Sequence, residues 1–181
     1  MKKTVYLDMD GTIADLYGIE NWLPRLRASD ETIFLECEPM ITEEELLNHF
    51  PTDKYEIRIL SMTPLGATAE YCKNVEEQKN AWLDRFFPSL TKRIYRAYGH
   101  NKNLKNSVNA VLVDDSEPIR NSWKGVALNP AELWGWFFLR SAVCRTVLPA
   151  TAKLVTANGP KLYHVCPPIS RGKIKKFFEK N

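Results

Sequence analysis

The 181-residue chain is 44% hydrophobic and 26% charged, values ordinary for a soluble globular protein, and its length accommodates one α/β domain with a small insertion or tail rather than two full domains. Cys37, Cys72, Cys144 and Cys166 are widely spaced and form no Cys-x-x-Cys pair, which argues against a zinc site or a disulfide scaffold and makes a reducing, cytoplasmic setting the default. The net charge of +3 conceals an asymmetry: residues 135–181 carry nine basic side chains against one acidic, +8, and residues 1–134 carry sixteen basic against twenty-one acidic, −5. A candidate boundary therefore separates a mildly acidic body, residues 1–130, from a basic extension, residues 131–181.

Lys2 and Lys3 give the chain the positive start of a signal peptide, but Asp8 cuts off the apolar run that would follow. No stretch reaches 18 uncharged apolar residues, so no membrane-spanning helix is expected. The run Thr4–Leu7 has strand length and ends in Asp8-Met9-Asp10-Gly11-Thr12. Two carboxylates at the carboxyl end of a buried strand lie where ligands bind in open α/β sheets. Burying both without compensation costs several kcal/mol per charge, so a cation should sit between them, and hard oxygen ligands at this spacing suit Mg²⁺. Alone, Asp-x-Asp-Gly is also a common acidic turn.

Residues 15–51 read as a short helical insertion that could cover the site. Asn21–Leu26 and Thr42–Phe50 have helical apolar spacing, the second opening on a capping box of Thr42 and Glu45. Trp22 is the insertion's candidate ligand contact, although aromatics at helical spacing are more often core. A second strand, Tyr55–Leu60, runs into Ser61-Met62-Thr63-Pro64. A serine there can donate to a phosphate oxygen without adding charge; a helix cap or ST-turn would use the same residues.

From Ala67 to Phe87 the pattern is helical, with Tyr71, Val75, Trp82 and Phe86 on one stripe. Lys79 lies along that stripe. It either snorkels to water or reaches the carboxylate pair, holding Asp8 and neutralising a bound phosphoryl group; Lys92, Lys102 and Lys105 are rivals for that part. After a polar loop, Ala110–Val113 forms the next apolar strand and ends in Asp114-Asp115, the remaining side of a metal site. Residues 121–128 supply a helix end and a last strand.

Asp8-Met9-Asp10-Gly11-Thr12, Ser61, Lys79 and Asp114-Asp115, in this order and in these contexts, resemble the four motifs of the haloacid dehalogenase superfamily of phosphohydrolases, over roughly residues 3–130. Lys79 followed by Trp82, the Asp-Asp pair and the small cap look like the 5'(3')-deoxyribonucleotidase group with its bacterial and phage relatives. The resemblance implies a Rossmann-like parallel sheet flanked by helices, with a small helical cap inserted after the first strand. It further implies Mg²⁺-dependent phosphomonoester hydrolysis through an aspartyl-phosphate. Asp8 would be the nucleophile and Asp10 the acid and base. Mg²⁺ would be held by Asp8, the backbone carbonyl of Asp10 and Asp114, with Asp115 assisting, while Ser61 and Lys79 would spread the phosphoryl charge. The implied substrate is a small phosphate ester such as a nucleoside monophosphate. Removal of phosphate from nucleic-acid ends and a non-catalytic binding protein are the alternatives.

Beyond about Asn129 nothing resembles the family. The aromatic cluster Leu133–Leu139 and the basic run Arg171–Lys176 fit a terminal helix closing the sheet edge, an interfacial element touching membrane, or a nucleic-acid arm. Pro149, Gly159-Pro160 and Pro167-Pro168 oppose long regular structure, and partial disorder is the expectation.

Overall fold

The computed structural model describes residues 2–133. Five strands form one all-parallel sheet: β1 (Lys3–Leu7), β2 (Tyr55–Thr63), β3 (Arg93–Ala97), β4 (Ala110–Val113) and β5 (Val126–Leu128), in the spatial order β3-β2-β1-β4-β5. The helices are α1 (Trp22–Arg27), α2 (Glu43–His49), α3 (Ala69–Phe86) and α4 (Glu117–Ser122), with short 3-10 turns at Ile33–Glu36 and Ser107–Asn109. This is an α/β, Rossmann-like architecture, as the resemblance implied.

The two central strands explain why the sequence reads as it does. Val5, Leu7, Leu112 and Val113 are fully shielded from water, and all four residues of β4 are buried, as in strands covered on both faces. Register then aligns the strand ends. Leu7 pairs with Ile59 on one side and Val113 on the other, so Asp8 and Asp114 emerge side by side. The Asp8 amide donates to the Val113 carbonyl at 2.9 Å, and the Asp114 amide to Leu128 at 3.2 Å.

Strand β3 was not expected from the sequence. It pairs with β2 from Ile59–Arg93 to Thr63–Ala97, and this edge partner carries β2 beyond Leu60, where the apolar run stops, to Thr63. In the insertion, the Thr42–Glu45 capping box forms with both of its hydrogen bonds. α3 is capped by Thr68, whose hydroxyl accepts from the Tyr71 amide at 3.1 Å. Val75, Gln78, Lys79, Trp82 and Leu83 form its buried face, while Phe86, expected on that face, is half-exposed and Phe87 takes the buried place.

The same face ties down the insertion. The Phe34 amide donates to Gln78 Oε1 at 3.0 Å, the Tyr71 hydroxyl to the Asp30 carbonyl at 2.9 Å, and the Trp82 indole to the Cys37 carbonyl at 2.7 Å. Backbone groups of the insertion thereby find partners on α3. Among the described residues no helix is long and apolar enough to cross a membrane. The expectations for the basic extension fall, apart from residues 131–133, outside the described residues.

Candidate active site

Asp8 leaves β1 at the sheet's carboxyl edge, and the chain then folds tightly under it. The Met9 carbonyl accepts from the amides of Thr12, Ile13 and Ala14 at 3.2, 3.0 and 2.9 Å. Gly11 makes this turn with φ +71°, a left-handed conformation that favours glycine. A Cβ at Gly11 would lie 2.4 Å from Tyr17 Cε2 and 2.7 Å from Asp115 Oδ2, so the turn packs directly against the acidic cluster.

Carboxylate oxygens of Asp8, Asp114 and Asp115 lie within 4.8 Å of one another. Asp8 is 6% exposed and Asp114 fully buried. Burial, with the charge of Asp8 added to it, pushes the carboxyl groups of Asp114 and Asp115 up to about 6. Among the described residues the ion pairs of this trio are both made by Lys102, whose ammonium sits 2.8 Å from Asp8 Oδ1 and 2.7 Å from Asp114 Oδ2. Burial would lower the Lys102 pKa, but Asp8 and Asp114 reverse the effect and raise it. Three carboxylates against one lysine leave the cluster short of positive charge. This donor set of hard oxygens fits a metal ion.

Asp10 has a different environment. Its Oδ2 accepts from Lys79 Nζ at 2.6 Å, while its Oδ1 is buried with no hydrogen-bond partner among the described residues. Burial raises the Asp10 pKa, although the Lys79 charge works in the other direction. Lys79 also donates to Ser61 Oγ at 2.9 Å and to the Met62 carbonyl at 2.8 Å. Ser61 is wholly buried.

The six sequence-predicted residues thus separate into two groups: Asp8, Asp114 and Asp115 around Lys102, and Asp10 with Ser61 around Lys79. Of the two readings of Lys79, snorkelling to water or reaching the carboxylate pair, the structure shows the second, but at Asp10 rather than Asp8; its rival Lys102 holds Asp8. Ser61 was expected to face the ligand at a strand end, but the extension of β2 places it inside the strand. Thr63 and Pro64 line the crevice in its stead. Of the other rivals, Lys92 pairs with Glu56 and Lys105 is exposed.

A pocket of about 560 Å³ opens over these groups, lined by Asp8, Asp10, Lys102 and Asp115 at the polar end. Its remaining wall is largely apolar and includes Tyr17, Trp22, Leu26, Phe34, Tyr98 and Ile119. Trp22 therefore faces the pocket, edge-to-face with Tyr17 at 5.1 Å between centroids. Tyr17 and the loop from Tyr98 to Asn101 also line the pocket, though nothing in the sequence pattern singles them out as site residues. Neither has a periodic pattern to mark it, and the Asp15–Gly18 turn that orients Tyr17, with the Gly18 amide on Asp15 Oδ1 at 2.9 Å, is visible only in three dimensions.

No family model matches the chain, and no curated protein matches it.

Proposed function

We propose that this chain is a Mg²⁺-dependent phosphomonoester hydrolase of the haloacid dehalogenase type, acting in the cytoplasm on a small ester such as a nucleoside monophosphate. One observation carries the reading. A carboxylate lining the pocket, Asp8, shares a buried ammonium with Asp114 and lies close to Asp115 as well, and a fourth carboxylate, Asp10, with one unpartnered oxygen, lies two residues away.

Asp8 attacks phosphorus, the ester P–O bond breaks, and the leaving alkoxide takes the proton held by Asp10. Asp10, now a carboxylate, takes a proton from water as that water attacks the aspartyl-phosphate. The bond from phosphorus to Asp8 breaks, inorganic phosphate departs, and both aspartates return to their starting states. Burial favours the protonated form of Asp10 that the first half requires. Lys102, which lines the pocket beside Asp8, neutralises the phosphoryl oxygens. Asp8, Asp114 and Asp115 would hold Mg²⁺, with the Asp10 backbone carbonyl the further ligand implied by the resemblance. Bound there, the ion would supply Lewis-acid charge compensation to the transferring group. The aromatic wall of Tyr17, Trp22 and Tyr98 suits a flat leaving group such as a nucleoside.

Release of inorganic phosphate from nucleoside monophosphates, sugar phosphates and 3'-phosphorylated oligonucleotides tests the reading, with Mg²⁺ or EDTA, for wild type and Asp8→Asn. The expected result is Mg²⁺-dependent release that the substitution abolishes, with nucleoside monophosphates preferred. Failure of the folded wild type on every substrate with Mg²⁺ present would refute it.

A further inference from the structure

The site contains two buried lysines, and hydrolysis as proposed above gives a part to only one. Lys102 lines the pocket. Lys79 does not: it is fully shielded from water and belongs to the packed face of α3. An ammonium group has three N–H donors. Those of Lys79 are matched by three acceptors, Asp10 Oδ2 at 2.6 Å, Ser61 Oγ at 2.9 Å and the Met62 carbonyl at 2.8 Å. The Phe34 ring lies 4.5 Å from the same nitrogen. No donor remains for a phosphoryl oxygen.

The consequence for Asp10 is geometric. A carboxylate on a short side chain can rotate and exchange its two oxygens, but here Oδ2 is held by a group that is itself fixed by two other acceptors, Ser61 Oγ and the Met62 carbonyl. Lys79 follows Gln78, which accepts from the Phe34 amide, and precedes by three residues Trp82, which donates to the Cys37 carbonyl. The clamp thus stands on a helix face bonded to the insertion. Functional groups held by locked neighbours on rigid elements keep their productive geometry. The oxygen left over, Oδ1, is buried and without a partner.

We propose that Lys79 is a positioning residue, which fixes Asp10 through Oδ2 and reserves Oδ1 as the single oxygen that exchanges a proton with the leaving alcohol. This role rests on the hydrolase reading and differs from phosphoryl binding, which it assigns to Lys102. Lys79 thus acts on the step in which the alcohol departs and leaves the binding of phosphate alone.

The test compares leaving groups. An alkyl phosphate, such as a nucleoside 5'-monophosphate, expels a strongly basic alkoxide that needs a proton, whereas 4-nitrophenolate departs without one. The quantity to compare is kcat/KM, which reports only the steps up to departure of the alcohol. In Lys79→Met, kcat/KM for the alkyl ester falls by about 100-fold or more, as for loss of a general acid, while that for 4-nitrophenyl phosphate falls by no more than about fivefold. Calorimetric affinity for inorganic phosphate in Mg²⁺ stays within about threefold of wild type, since no phosphate contact is lost. Lys79→Arg, which retains the charge but replaces the compact three-donor ammonium with a larger planar group, gives the same selective loss to a smaller degree and carries the comparison should Lys79→Met fail to fold.

Equal losses on both esters in a folded variant, or a fall of about tenfold in phosphate affinity, would overturn the proposal and make Lys79 a direct phosphoryl ligand. Wild type inert toward both esters would remove the hydrolase reading and this role with it. That outcome is seen before any substitution is made, which separates the two failures.

Discussion

Replacement of Lys102 by methionine tests whether this lysine neutralises the acidic cluster. The ammonium lies 2.8 Å from Asp8 and 2.7 Å from Asp114, with side-chain exposures of 2%, 9% and 0% for the three groups. At an effective dielectric of about 20, each contact is worth about 6 kcal/mol of Coulomb energy, from which the cost of burying the ammonium must be taken. Methionine fills the same space but leaves two neighbouring carboxylates buried without their cation. Breaking such a pair costs about 3–5 kcal/mol. For a domain of this size that corresponds to a fall in Tm of roughly 10–20 °C. Mg²⁺ should return a large part of it, because a ligand of the folded state at a hundred times its Kd adds about 2.7 kcal/mol. Thermal unfolding by circular dichroism in EDTA and in a Mg²⁺ series is the assay. The expected result is a large loss in EDTA and a stronger Mg²⁺ response in Lys102→Met than in wild type. A variant melting within about 3 °C of wild type in EDTA would show that the cluster does not depend on this lysine, and the reasoning would fall.

Two further outcomes follow from other parts of the structure. Asp30 accepts from Arg25 and from the Thr32 amide, which hold its carboxyl down at about 2, below its ordinary 3.8. A depressed carboxylate stabilises the fold above its unfolded value and loses that contribution as pH falls. The Tm advantage of wild type over Asp30→Asn should therefore be constant above about pH 4 and vanish toward pH 2; a difference that persists to pH 2 would contradict the assignment. Gly11→Ala forces a side chain into φ +71° and into contact with Tyr17 and Asp115. The backbone alone costs about 1–2 kcal/mol, and displacement of Asp115 should weaken Mg²⁺ binding about tenfold, as for loss of support to a ligand. Unchanged Mg²⁺ affinity by calorimetry would show that the turn and the cluster are independent.

Much of the frame was legible because burial on both faces leaves a plain signature. Thr4–Leu7 and Ala110–Val113 could be found as apolar runs and Tyr55–Leu60 as a partly alternating strand, and the Thr42–Glu45 box marked a helix start from local chemistry alone. Strand β3 escaped detection because an edge strand is only half covered: Arg93, Tyr95 and Arg96 keep polar groups at the rim, and the Arg-Ile-Tyr-Arg sequence carries no continuous apolar run. The acidic residues of the site were legible at strand ends, but their partners were not. Lys79 drew attention through its place on a helical stripe and did prove buried. Lys102 sits in an aperiodic polar loop, and only the closure of that loop over the sheet edge brings it to Asp8. Helical periodicity could rank the lysines by burial, but pairing each with its carboxylate required the register of the sheet.

The strand order has a consequence for the life of the chain before it is folded. β1 is made first and lies in the middle, between β2 and β4. Its neighbours come from residues 55–63 and 110–113, so the central strand cannot be enclosed until residue 113 has been made. The same delay applies to charge. Asp8 leaves the ribosome well before Lys79 or Lys102, and its aspartate partner Asp114 later still. At about 5–20 residues per second, β1 waits several seconds as an apolar strand with open edges. Long-range pairing of this kind is slow and exposed to misassembly, and the two charged residues that terminate the segment, Asp8 and Asp10, also guard it against pairing with another chain. Asp8 and Asp10 thus place charge at the open end of β1 through the interval before β4 can pair with it.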